Sequence, residues 1–204
     1  TRLLAGATHF HETFDGLTLR VSLQSFLQVN TAQAARLHET VRRALGPAQD
    51  GGKWGTVLDL YGGIGTLALA VSDSADYVLG VEEIGAAVED ARENARLNQK
   101  KNLDFMQGDA SESLVNLKAQ GLTRVDAVIL DPPRKGVPPE LLARLAALRP
   151  ERLVYVSCDP STLARDLGLL SQQGYRVDGV QPLDMFPQTY HVESVARLTR
   201  VAPP

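Results

Sequence analysis

The sequence holds one cysteine, Cys158, among its 204 residues, so no disulfide can form within the chain. Four scattered histidines accompany it without the close spacing of a zinc or iron site, and no resident metal is expected. No apolar run is long enough to cross a bilayer, and nothing resembles a secretory signal. Cytoplasmic residence, with no membrane partner, is the expectation from these absences. Excess positive charge is missing too. The 21 Lys and Arg stand against 24 Asp and Glu, for a net charge of -3 and an isoelectric point near 5.8. A free-standing nucleic-acid binder often carries a global basic footprint, which this chain lacks.

What is present is a 44% hydrophobic composition, enough for the core of one ordinary domain, expected to be monomeric. The first residue is Thr1, which reads as the start of a fragment or processed chain with room for a further module upstream. Residues 17–29 alternate and are rich in β-formers, so 1–30 reads as a β-rich lead-in and 31–204 as the main domain. Thr31 is expected to cap a helix running to Leu45, and the turn formers of 46–55 read as a loop. Strands are then expected at 56–60, 77–81, 103–107, 125–130 and 153–157. Each is followed by a helix, at 64–71, 85–98, 112–117, 139–148 and 162–173. Strands at 175–182 and 192–198 end the chain. Short apolar strands alternating with amphipathic helices predict a doubly wound α/β fold with a mostly parallel sheet. The last two strands lack a helix between them and predict an antiparallel pair at one edge.

In such a sheet ligands sit beyond the carboxyl ends of the strands, so the turns after the strands carry the information. The first, Asp59-Leu60-Tyr61-Gly62-Gly63-Ile64-Gly65-Thr66, lets backbone approach a ligand and then launches a helix. With Ala68 it also fits a loose dinucleotide fingerprint, and a tight turn without ligand is the plainer alternative. Glu82 and Glu83 end the second strand, where a carboxylate can grip ribose hydroxyls or be solvated. Asp109 can accept from an adenine amino group or cap the next helix. Asp131-Pro132-Pro133-Arg134 is a stiff turn after a buried strand, and Arg134 and Lys135 are phosphate contacts or a solvated loop. Cys158 follows the fifth strand, where the next helix can lower a thiol's pKa; an inert buried cysteine is the alternative. Glu193 opens the last strand, as a base or a surface carboxylate, and His191 as a structural or substrate-contacting residue.

Assembled in order, these residues resemble the catalytic domain of the RNA 5-methyluridine methyltransferases, over about Ser25 to Arg200. The motifs are Phe26-Leu27-Gln28-Val29-Asn30, the glycine turn from Asp59, Glu82, Asp109, the Asp131 turn, Ser157-Cys158-Asp159-Pro160 and His191-Val192-Glu193. The resemblance implies a Rossmann-like class I S-adenosylmethionine-dependent fold with a seven-stranded sheet and an antiparallel edge. It implies that Gln28, Tyr61, Thr66, Glu82, Asp109 and Asp131 line the cofactor site, that Cys158 is the nucleophile and that Glu193 is the base. Gly63 stands where many members have cysteine and Asp159 where many have asparagine. The implied partner is RNA. The details around Gln28-Val29-Asn30 and 131–136 favour 23S ribosomal RNA over tRNA. Members often carry an upstream RNA-binding barrel and some an iron–sulfur cluster. Neither is expected here, so cofactor binding with little turnover on RNA is expected of these residues alone.

The chemistry accounts for the residue types. Carbon 5 of uracil is a poor nucleophile until a thiolate adds to carbon 6. A base must later remove the carbon-5 proton so that the thiolate leaves. An NAD-dependent oxidoreductase fits the glycine turn but leaves the Asp131 and Cys158 turns without a use. A non-catalytic cofactor-binding module and an amino-group methyltransferase are further alternatives, and neither needs Cys158.

Overall fold

Short Val, Leu and Ile runs such as 57–58, 127–130 and 153–156 bury both sides of a strand, which requires a sheet covered on each face. The computed structural model describes residues 6–117 and 121–201, so residues 1–5 of the lead-in lie outside the described residues. The chain begins with an antiparallel hairpin of β1 (His9–Phe14) and β2 (Leu17–Ser22), followed by α1 (Thr31–Leu45). Then come β3 (Trp54–Leu60), α2 (Thr66–Val71), β4 (Ala75–Glu82), α3 (Gly85–Leu97), β5 (Leu103–Gln107) and α4 (Ala110–Asn116). They lead to β6 (Ala127–Leu130), α5 (Pro139–Ala147), β7 (Arg152–Ser157), α6 (Pro160–Gln172), β8 (Tyr175–Leu183) and β9 (Glu193–Arg200).

Seven strands form one sheet in the order β5-β4-β3-β6-β7-β9-β8. Strands β3 to β7 pair in parallel, and β9 runs antiparallel to both β7 and β8. The expected antiparallel pair is therefore at the edge, with the reversed strand one place inside it. Alternate residues point to opposite faces. Val57, Val78, Ile129 and Val154 pack under α1, α2 and α3, whereas Leu58, Leu79, Val128 and Leu153 pack under α4, α5 and α6. Each such fully buried side chain contributes about 1.5–3 kcal/mol.

Several local expectations are corrected. Strand character stops at Ser22 instead of running to Val29, because the Ser25 N–H turns back to the Ser22 carbonyl at 3.0 Å. Both serine hydroxyls then donate to buried Asp90, at 2.8 and 2.7 Å. Asn30, not Thr31, caps α1: its side chain accepts from the Gln33 N–H and donates to the Met185 carbonyl. The presumed loop 46–55 gives up its end to β3, since Trp54 is buried and its indole N–H donates to the Gly46 carbonyl at 2.9 Å. Among the described residues no helix is long and apolar enough to cross a membrane.

Candidate active site

The parallel strands end together, and the turns that leave them enclose a cavity of about 710 Å³. That is the size of ligand pockets in general, about 300–1,000 Å³. Gln28, Tyr61, Thr66, Glu82, Asp109, Asp131, Cys158 and Glu193 all line it. Eight residues spread over 166 positions of sequence thus share one wall-to-wall space.

The glycine turn is held from several sides. Tyr61 has φ +63, a left-handed conformation that costs a non-glycine residue energy and that marks ligand-binding turns. Asp59, fully buried below it, accepts the Ala68 N–H at 3.1 Å and so fixes the start of α2. At Gly65 (φ +82) and Gly80 an added Cβ would meet the ring of Phe105 at 2.8 and 2.4 Å, so both glycines make room for that ring beneath the turn. Glu82 spans the next turn, accepting from the Gly63 N–H at 3.0 Å and the Ile84 N–H at 2.9 Å. Asp109 performs the capping role weighed for it: its Oδ1 accepts from the Ser111 and Glu112 N–H groups. Gly63 (φ +53) has open space where a side chain would stand.

The turn after β6 is fixed to α6. Thr162 donates its hydroxyl to the Arg134 carbonyl, and the Val137 N–H donates to buried Asp166 at 2.8 Å. Asp166 also accepts from the Tyr155 hydroxyl at 2.6 Å. Asp159 caps α6, its Oδ1 accepting from Ser161 and Thr162 N–H groups at 2.9 Å. Asparagine carries the same oxygen, which makes aspartate here a mild change. Cys158, the residue before this cap, is half-buried. Glu193, opening β9, is 3% exposed, so the surface-carboxylate alternative fails.

Three buried acids at this end of the sheet are held above their ordinary pKa values. Burial, with the charges of Asp131 and Glu82, pushes Asp59 up to about 8. Burial pushes Asp131 up to about 6, and burial with the charge of Asp131 pushes Glu193 up to about 7. The lowering expected for the Cys158 thiol does not prevail. Burial raises its pKa, Glu193 and Asp131 add to the rise, and Arg134 opposes it. The amides at the start of α6 that would favour a thiolate are already used by Asp159.

Sequence reasoning missed two features. Gln28 Oε1, at the cavity, and Asp59 Oδ1, buried beneath the glycine turn, have no hydrogen-bond partner within the protein. Phe186 lines the cavity from the irregular segment between β8 and β9, where no periodicity or turn motif marks it. Among the described residues no group of His, Cys, Asp and Glu is arranged to hold a metal ion.

Comparison with known proteins agrees with this geometry. The chain is 44% identical over 198 residues to an uncharacterized RNA methyltransferase of Halalkalibacterium halodurans, covering 97% of this chain and 42% of that protein. It is 47% identical over 198 residues to one of Geobacter sulfurreducens, covering 94% and 38%. The chain therefore spans less than half the length of these relatives. The crystal structure of Pyrococcus abyssi tRNA (uracil-54, C5)-methyltransferase with S-adenosyl-L-homocysteine superposes with a TM-score of 0.80 at 34% identity, covering 96% of this chain and 45% of that one. A SAM-dependent methyltransferase from Agrobacterium tumefaciens shares the fold, with a TM-score of 0.69 at 16% identity, covering 96% and 71%. The profile of the tRNA (Uracil-5-)-methyltransferase family matches residues 15–201, and the chain belongs to that family.

Proposed function

We propose that this chain is the catalytic domain of an enzyme that methylates carbon 5 of a uridine in RNA, with S-adenosylmethionine as methyl donor. The observation that carries the reading is the meeting of Cys158 and Glu193 at one cavity with the glycine turn. S-adenosylmethionine supplies an electrophilic methyl group on a sulfonium. The residues present suit that donor. Gln28 Oε1 is a buried acceptor at the cavity without a partner in the protein, and Glu82, Asp109 and Asp131 add carboxylates for a cationic ligand with ribose hydroxyls and an adenine amino group.

The half-exposed Cys158 thiol gives up its proton to solvent and adds as thiolate to carbon 6 of the flipped base, forming a C–S bond and pushing electron density to carbon 5. Carbon 5 then takes the methyl group, whose bond to the sulfonium sulfur would break with its electron pair left on that sulfur, so that S-adenosylhomocysteine is the product. Glu193 takes the proton from carbon 5, the ring double bond re-forms and the thiolate leaves. A base whose pKa stands near 7 suits proton removal at neutral pH.

Ribosomal RNA is the target favoured by the residues around Gln28 and 131–136. The relative of known structure is named for tRNA, so the two pools must be compared directly. Mass spectrometry of rRNA and tRNA from a deletion strain should show 5-methyluridine missing from one site of 23S rRNA. Loss from tRNA alone would move the target, and unchanged 5-methyluridine in both pools would overturn the proposal.

A further inference from the structure

A short ladder of rings leads from the cavity to solvent, and the chemistry above makes no use of its outer half. Phe186 lines the cavity, and its ring meets His191 edge-on at 6.3 Å between centroids. His191 meets Tyr190 at 4.2 Å, with the planes tilted by 41°. Tyr190 is 88% exposed.

A lone exposed tyrosine needs no explanation. This one is held out by a built turn. Gln188 has φ +66, in the left-handed region. The Thr189 hydroxyl donates to the Phe186 carbonyl at 2.7 Å and accepts from the His191 N–H at 3.2 Å, and the Thr189 N–H donates to the same carbonyl. The turn thus spends backbone strain and three hydrogen bonds on a segment that buries little of Tyr190. Beside it stands a cation: Arg134 Nη2 is 3.4 Å from His191 Nε2, and Arg134 lines the cavity with Cys158.

A flat aromatic face open to water with a guanidinium alongside is the pairing that holds unpaired nucleotides. The base stacks on the ring and the backbone phosphate meets the cation. Flipping a uridine leaves its neighbour without a stacking partner on one side, which a protein ring can replace. Resting on the reading that this cavity methylates a uridine in RNA, we infer that Tyr190 and His191 form a stacking platform for the nucleobase adjoining the flipped uridine, with Arg134 on the phosphate between them. Tyr190 is a positioning residue in this scheme. It selects and aligns single-stranded RNA next to the target and touches no reacting atom.

The test uses the full-length enzyme, its RNA substrate, and the same RNA made abasic at either nucleotide flanking the target. Tyr190→Ala should lower kcat/KM about tenfold, within the range of about 5- to 150-fold that stacking of one base supports, with the larger part of the loss in KM. Tyr190→Phe should restore the wild-type value, since the ring and not the hydroxyl stacks. On one of the two abasic RNAs, wild type and Tyr190→Ala should become equal. A Tyr190→Ala enzyme within twofold of wild type on intact RNA overturns the platform, as does a loss that persists in full on both abasic RNAs. Absence of any methyl transfer by the wild-type enzyme would instead overturn the underlying activity, and the platform with it.

Discussion

Cys158 directly follows, and Glu193 directly precedes, the last pair of the β7–β9 ladder, Ser157 with Ser194, and both line the cavity. The reversal of β9 is what achieves this, because only an antiparallel strand begins at the end where β7 stops. Cys158→Ala should abolish methyl transfer and the covalent adduct with RNA bearing 5-fluorouridine. Glu193→Gln should still add its thiol to ordinary uridine but turn over about 10²–10⁴-fold more slowly, so that adduct accumulates on a denaturing gel. An active Cys158→Ala enzyme would exclude the covalent route. Wild-type turnover by Glu193→Gln would place the base elsewhere.

The pH profile follows from the raised carboxyl. Glu193 acts as a base only when ionised, and its pKa is pushed up to about 7 by burial and then by the charge of Asp131. At saturating substrates, kcat should therefore climb with pH through a limb near 7 set by Glu193, and climb again at higher pH as the Cys158 thiol, held above its ordinary value by burial, ionises. Asp131→Asn removes the neighbouring negative charge and should move the Glu193 limb to lower pH. Methylation rates between pH 5 and 9 read both effects. A limb that moves upward in Asp131→Asn would contradict the assignment.

Stability should run the other way. A carboxyl whose folded pKa lies above its unfolded value holds its proton more tightly when folded. Its contribution is full below the unfolded value and is lost as pH rises through the folded one. Asp59 goes from 3.8 to about 8, Asp131 from 3.8 to about 6, and Glu193 from 4.5 to about 7. Tm should consequently fall between pH 5 and 8. Asp59→Asn keeps an oxygen for the Ala68 N–H and cannot ionise, so its Tm should fall less over that range. An equal slope in the variant would show that burial does not hold Asp59 above its ordinary pKa.

The strand and helix alternation was readable from the sequence because it rests on local signals, whereas Gln28, which precedes the parallel sheet, was reached only through resemblance to the family. A buried apolar run fixes a strand, and the chemistry-bearing residue lies in the turn just after it, as with Asp109 after β5 and Cys158 after β7. What escaped depends on pairing at a distance. Nothing near Ser22 says that its amide belongs to Asp90, 68 positions away, and so the end of β2 was misplaced. The thiol's pKa was misjudged for the same reason. The helix that follows Cys158 is local, whereas the opposing carboxylates, Glu193 and Asp131, reach it only through the fold.

The same distant pairing sets how the segment bearing Gln28 is held. Along β2 the N–H groups of Thr18, Arg20 and Ser22 donate to Asn98, Asn94 and Asp90 of α3 and its C-cap. Two strand residues advance about 6.6 Å and four helix residues about 6 Å, so the helix side chains match the strand's amides and cover its free edge. Asp90 is the terminal member, fully buried, and it also binds the Ser22 and Ser25 hydroxyls and lies 3.4 Å from Arg20 Nε. Asp90→Ala would strand an amide, two hydroxyls and a guanidinium at once, which should cost about 3–5 kcal/mol, the loss typical when one partner of a buried charged pair is removed. Asp90→Asn keeps an acceptor oxygen and should cost less. In Asp90→Ala, amides 17–25 should exchange with solvent faster than in wild type while those of β3 and β6 stay protected. Affinity for S-adenosyl-L-homocysteine should drop as well, since the chain runs from Ser25 directly to Gln28 at the cavity. Unchanged exchange at 17–25 would mean that packing of Leu19 and Val21 alone holds the hairpin, and that Asp90 is dispensable to the site.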